Sequence, residues 1–262
     1  MSKLPGVFSA TKKDGSTYFR ASITHNGKHI SLGSFNTEQK ASQAYKEASF
    51  LLSSDTPIEK HDKNSVLSYN KWISLINFRD NKIYCKTPIY IFSNYFHYYF
   101  DKDDYLKFDV DDLFYYSKHT IQRRGGHLFV ADFGTQYNIL SRYGIKNFAV
   151  AGKDYRFVNG DTNDYRYANI EVINKYHGVS KQINRGISYY TAKIHINGDY
   201  QIGTYQTEAE AAVAYNKAAI YLKEHGFTKN FPMNYVLELN EIEYATIFNR
   251  ISISKNIRNN FQ

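Results

Sequence analysis

The chain has 262 residues, room for two or three small domains, and its 33 Lys and Arg against 25 Asp and Glu give a net charge of +8 that suits a polyanionic partner. With four prolines and no low-complexity run there is little room for a long disordered linker, and no apolar run reaches membrane-spanning length. A lone Cys85 excludes an internal disulfide and a zinc finger, and the nine histidines show no metal-site spacing.

Residues 1–55 open on alternating side chains, Tyr18-Phe19-Arg20-Ala21-Ser22-Ile23-Thr24, the period of a half-buried strand. Asn26-Gly27 supplies the left-handed backbone angles of a tight hairpin, so the next stretch is expected to return antiparallel. A helix is predicted from Thr37, with Ala41, Ala44, Tyr45, Ala48 and Leu52 on its inner stripe. Phe19, Ala21 and Ile23 should face that helix, which leaves Tyr18, Arg20, Ser22 and Thr24 on an open, polar face.

In residues 56–88, Ser65 to Phe78 carries Val66, Leu67, Trp72, Ile73, Leu75 and Ile76 and predicts a connecting helix. The middle, 89–173, begins with Ile89-Tyr90-Ile91-Phe92 and Tyr95 to Phe100, strand-like runs whose aromatic residues are expected to pack in a core rather than stack on unpaired bases. Asp101, Asp103, Asp104, Asp109, Asp111 and Asp112 lack the glycine and terminal glutamate of a calcium loop and read as a solvated strand, turn and helix. Asn159-Gly160-Asp161 suits a turn.

Residues 174–235 repeat the first segment. Gly6-Val7, Ala21, Ile23, Asn26-Gly27, Gly33, Phe35, Thr37-Glu38, Ala41, Ala44-Tyr45 and Ala48 recur as Gly178-Val179, Ala192, Ile194, Asn197-Gly198, Gly203, Tyr205, Thr207-Glu208, Ala211, Ala214-Tyr215 and Ala218. Thr207-Glu208-Ala209-Glu210 has capping-box spacing. Residues 236–262 read as a closing helix, 236–250, and a polar, basic, frayed tail from Ser252. The expected class is α+β: two small modules, each a three-stranded antiparallel sheet plus helix, flanking a middle domain.

The Gly-Val starts, the Ala-x-Ile strands, Leu32-Gly33-Ser34-Phe35-Asn36-Thr37 with its counterpart Ile202 to Thr207, the Ala-Tyr helices and the ending Asn230-Phe231-Pro232 carry a resemblance. Both copies resemble the Apetala-two or ethylene-response-factor family of DNA-binding domains, over about a third of the chain. The resemblance implies that each sheet lies in the major groove of duplex DNA, where every base pair presents a distinct donor and acceptor pattern. Carried over by position, the base readers would be Phe8, Ala10, Ser22, Thr24 and Ser31, and then His177, Ser180, Gln182, Lys193, His195 and Gln201. Lys12, Lys13, Arg20 and Lys28, with Lys181, Arg185 and Lys193, are the expected phosphate contacts, which position the protein without reading sequence; Tyr18 joins them on the open face. Plant members use mostly arginine and tryptophan at the reading positions, so the target cannot be borrowed. The second copy, with more hydrogen-bonding and cationic readers, is expected to contribute more specificity.

Val158-Asn159-Gly160-Asp161 followed by Asp164, Arg166, Asn169 and Ile170 resembles the Ile-Asn-Gly-Asp, Asp-Asn-Arg, Asn-Leu run of HNH homing endonucleases, in whose phage-type members an Apetala-two-like module follows the nuclease. Asp103-Asp104-Tyr105, Gly125-Gly126 and Tyr137 to Arg142 fit its upstream strands. The family needs an Asp-His pair, which is Arg156-Phe157 here; its first histidine position reads Ser141 and the asparagine of Asp-Asn-Arg reads Tyr165. Phenylalanine cannot take a proton, and the surviving Asn169 alone cannot hold magnesium or zinc. The middle is therefore expected to be a degenerate nuclease with no catalytic residue, metal or cofactor, and Arg156 turns a cation site into a phosphate site; the alternative is a plain turn.

The expected function is sequence-specific binding of double-stranded DNA at a bipartite site, as a transcriptional repressor derived from a homing endonuclease. The alternatives are an active HNH-type endonuclease or nickase, told apart by nicked plasmid in added metal, and an architectural or recombination accessory protein, told apart by bending with shallow sequence preference. The N-terminus shows no signal sequence, so the expected location is cytoplasmic and nucleoid-associated, away from membranes. A homo-oligomer is compatible with the sequence without being indicated by it, and the homing-endonuclease resemblance implies a phage or mobile-element origin.

Overall fold

Alternation in the first copy becomes a sheet. In the computed structural model, which describes residues 4–132, 135–147 and 149–260, β1 (Val7–Thr11), β2 (Thr17–His25) and β3 (Lys28–Phe35) pair antiparallel in chain order, and α1 (Glu38–Ser53) lies on one face. Ala21, Ile23, Ile30 and Leu32 are buried against Ala41, Ala44 and Ala48, whose small side chains let the helix lie close to the strands. Thr37 caps α1, its side chain accepting from the Lys40 amide.

After α1 come α2 (Tyr69–Asn81), β4 (Ile89–Ile91), β5 (Tyr95–Asp101), β6 (Asp104–Asp109), α3 (Leu113–Tyr116), β7 (Ile121–Arg124), β8 (His127–Asp132) and β9 (Thr135–Asn138). Strands β4 to β6 form one three-stranded sheet and β7 to β9 another. The connecting helix begins four residues later than its apolar pattern suggested, because Ser68 is the N-cap while Ser65 donates to the Glu47 carboxylate. Phe96, Tyr98, Leu106 and Phe108 on one face of the β4–β6 sheet are buried, as expected for the aromatic runs, whereas Tyr90, Tyr95, His97 and Tyr105 lie partly exposed on the other. Within the aspartate cluster Asp112 is buried rather than solvated. Cys85 is buried, and burial pushes its thiol up to about 11.

The second copy follows a short hairpin, β10 (Tyr155–Phe157) with β11 (Ile170–Val172), and repeats the first in β12 (Val179–Asn184), β13 (Ile187–His195), β14 (Asp199–Tyr205) and α4 (Glu208–Glu224). Both copies carry a bulge at the same place, between Ala21 and Ser22 and between Ala192 and Lys193, so that Leu32 and Ile202 are the extra residues. Two expectations for this copy fail. Asn26 and Gly27 take left-handed angles, φ 45 and 74, but Asn197 and Gly198 do not. The second copy has one residue fewer between its paired positions Lys193 and Gln201 than lies between Ser22 and Ser31, so its hairpin closes with the three residues Ile196 to Gly198. Thr207 accepts from the Glu210 amide, yet the Glu210 carboxylate pairs with Arg250 instead of completing a capping box; the complete box is at Asn240 and Glu243, where α5 (Glu241–Arg250) begins.

The tail is not frayed over its described length. It forms α6 (Lys255–Asn260), and Ile251 and Ile257 join the core of Val179, Ile194, Ala214 and Leu222. By its contacts the chain divides into Met1–Tyr137 with Asp161–Asn169, and Asn138–Gly160 with Ile170–Gln262. The first unit holds the first copy and the second unit the second copy, while residues 89–173 are shared between them. Among the described residues no helix is long and apolar enough to cross a membrane.

Candidate nucleic-acid interface

In each module the side chains opposite the helix gather on one open sheet face. In the first, the register places Phe8 beside Arg20 and Ser34, Ala10 beside Tyr18, Ser22 beside Ser31, and Thr24 beside His29. All the proposed first-copy readers are thereby on one surface, with Ser34 and His29 as additional members. Arg20 is not a free cation: its Nε and Nη2 donate to the Tyr18 hydroxyl at 3.1 and 2.5 Å, so the guanidinium is held over the strand. Lys12 and Lys13 sit in the exposed β1–β2 loop, whose Asp14 carboxylate accepts from the Ser16 amide and hydroxyl and is held below its usual range by those bonds. Lys28 starts β3.

In the second module the face opposite the helix holds Ser180 beside Thr191, which is buried, and Thr204, with Gln182 beside Tyr189, Lys193 beside Gln201, and His195 beside Asp199. His195 Nδ1 lies 2.8 Å from Asp199 Oδ1, and that hydrogen bond lowers the Asp199 carboxyl. Arg185 occupies the left-handed first position of a two-residue turn, φ 48, followed by Gly186 at φ 79. Lys181 alternates with Ser180 and Gln182 and so takes the other side of its strand. His177 is off the face: it precedes β12, its amide donates to Asn234 Oδ1, its carbonyl accepts from Asn234 Nδ2, and burial lowers its pKa. Tyr189 and Thr204 were not among the expected contacts; Tyr189 follows from alternation with Lys193 and His195, whereas the extra residue Ile202 sets Thr204 three residues from Gln201, out of the alternating phase.

One joint holds both faces in position. Gly6 and Gly178, at φ +69 and +68, pass beneath Tyr45 and Tyr215, and their carbonyls accept from the Ser22 and Lys193 amides at 2.9 and 2.7 Å. A Cβ on Gly6 would meet the Tyr45 ring at 2.1 Å, and one on Gly178 the Tyr215 ring at 2.2 Å. The Gly-Val start and the Ala-Tyr helix are therefore two halves of a single contact.

The proposed degenerate-nuclease positions are divided between the units. In the second unit, Arg156 on β10 meets Glu171 on β11, Nε to Oε2 at 2.7 Å, an exposed ion pair that neutralises the expected phosphate-binding charge. Phe157 contacts Tyr155 edge-on and leads into a turn closed by the Gly160 amide on the Phe157 carbonyl. Ser141 donates to the Asn138 carbonyl. In the first unit, Tyr165 is buried beside Phe108. Asn169 ends a three-residue 3-10 turn and donates its side-chain amide to the Asp161 and Asp164 carbonyls, so this residue, expected as the remnant of a metal site, braces a turn. Burial opposes ionisation of Asp164, but hydrogen bonds from the Arg166 guanidinium and amide outweigh it and keep the carboxyl below its usual range. Among the described residues no group of three or more His, Cys, Asp or Glu is arranged to hold a metal ion.

No family model, curated protein or solved structure matches the chain. The functional reading therefore rests on the geometry of the two repeated faces.

Proposed function

We propose that this chain is a sequence-specific double-stranded DNA-binding protein that applies both modules, of Apetala-two type, to one bipartite site and represses transcription by occluding it. The observation that carries the reading is the recurrence of the same polar, cation-flanked open face on two sheets with the same topology and the same bulge. A surface selected only for solubility has no reason to keep its bulge, its glycine joint and its open strand positions together. Residues Arg156 to Asn169 are the remnant of an HNH centre in this reading. The Arg156–Glu171 pair and the structural bonds of Asn169 favour a binding role over cleavage. A base that generates hydroxide and a ligand set for a cation are both missing from the matching positions.

The test is selection of bound duplexes from a random library by the full chain in magnesium, with the products sequenced for both enrichment and breaks. An intact two-part motif is expected. Breaks at a fixed offset would make the protein a nuclease, and bound duplexes with no enriched sequence would make it an architectural protein.

A further inference from the structure

Two large apolar side chains stand on the open faces. Phe8 is 58% exposed beside Arg20 in the first module, and Ile187 is 72% exposed beside Asn184 in the second, on the same side of its sheet as Ser180, Gln182 and Lys193. Neither contributes to the core, and each leaves apolar surface in water on a face that is otherwise polar.

The surroundings of each residue say what could cover it. Ile187 follows directly on the Arg185-Gly186 turn, with Lys193 farther along the same side of its strand; Lys181 is on the other side, Lys175 is paired with Glu238, and Asp199 on the open side is engaged by His195. Arg20 stands directly opposite Phe8 on the neighbouring strand, and Lys12 and Lys13 lie in the loop at the far end of β1. An apolar protein surface gains nothing from such a cationic frame, whereas a polyanion does. Within the major groove of duplex DNA the base edges present mainly hydrogen-bonding groups, and the bulkiest apolar group there is the C5-methyl of thymine.

Resting on the DNA-binding reading above, we propose that Phe8 and Ile187 are specificity-determining contacts for thymine methyl groups, one in each half of the bipartite site. Phe8 covers its thymine while Arg20, held by Tyr18, stays beside it. Ile187 does the same at the tip of the β12–β13 hairpin, where the Arg185-Gly186 turn brings the strand end to the surface. A phenylalanine at a reading position is then a functional substitution for a hydrogen-bonding side chain, since it exchanges recognition of a polar edge for recognition of a methyl.

The test uses the full chain and the duplex enriched from the random library, with each thymine replaced singly by deoxyuridine, a change that removes the methyl and nothing else. One thymine in each half should show an affinity loss of about fourfold, the worth of one buried methyl. Phe8→Ala should abolish the uracil sensitivity of one half only, and Ile187→Ala that of the other only. Both side chains are exposed, so truncation leaves the cores intact. An enriched duplex that is indifferent to uracil, or one whose sensitivity persists in both variants, overturns this proposal while leaving the DNA-binding reading in place. Failure to enrich any duplex removes that reading and the methyl contacts together.

Discussion

Glycine is required at positions 6 and 178 for two separate reasons, backbone angle and space. Both residues lie in the left-handed region, where a Cβ costs about 1–2 kcal/mol, and at both a Cβ would also overlap a tyrosine ring. Gly15 has a comparable φ of +83 but nothing within 4 Å of an added Cβ. Gly178→Ala should therefore lower stability by about 2–5 kcal/mol in chemical denaturation, the angle and overpacking costs together, and Gly15→Ala by only the first part. Equal losses would mean that the tyrosine contact is unimportant. A second residue-scale prediction concerns Asp154, which is buried and takes Lys146 Nζ at 2.8 Å on one oxygen and the Val150 amide at 2.9 Å on the other. Burial raises its pKa, but those two partners more than offset it, so the folded-state value lies below the ordinary one. A lowered folded-state pKa gives stability that is complete above the unfolded value of about 4 and is lost as the pH falls through the folded value. Asp154→Asn should cost about 3 kcal/mol at pH 7, and its gap from the wild type should narrow below about pH 4. A gap of the same size at both pH values would show that the ion pair is not what the asparagine removes.

At the scale of elements, what could be read in the sequence was what local chemistry dictates. Thr37 and Thr207 announce their helices because a threonine before a helical stripe has a backbone amide to accept from, and Asn26-Gly27 announces its turn because few residue pairs tolerate those angles. Alternation gave the open-face positions Tyr18, Arg20, Ser22 and Thr24, while the other expected contacts came from the family resemblance by position. Long-range features were hidden. The shared bulge leaves no gap in the apolar pattern, because Leu32 and Ile202 are themselves buried. The three-residue turn at Asn197 depends on the register of a strand pair rather than on the Asn-Gly dipeptide, and His177 was assigned by position without the Asn234 clamp that draws it off the face. The tail differs for a similar reason: its composition is polar, but Ile257 is buried in the core, Ile253 packs against it and Ser254 donates to the Gln201 carbonyl. Ile257 is fully buried, and Ile257→Ala should destabilise the protein by about 2–4 kcal/mol in a denaturation experiment, against no change for a frayed end.

For the whole molecule the central feature is that two equivalent faces are carried on one chain. Once one module is bound, the other is held at high local concentration, and the paired site is bound about a hundredfold or more tighter than either half, provided both can engage together. In the proposed complex with DNA, the net charge of +8 would add attraction that is independent of sequence and weakens with salt, by roughly −0.9 in logarithmic slope for each phosphate neutralised. Specificity must then come from the open faces and not from the charge. The most direct measurement is hydroxyl-radical footprinting on the enriched duplex, comparing the wild type with an Arg20→Ala, Thr24→Ala variant and a Lys193→Ala, His195→Ala variant. Two protected tracts are predicted for the wild type, with each variant losing a different one along with most of the gain in affinity. A single protected tract, or two tracts that survive in both variants, would contradict the account.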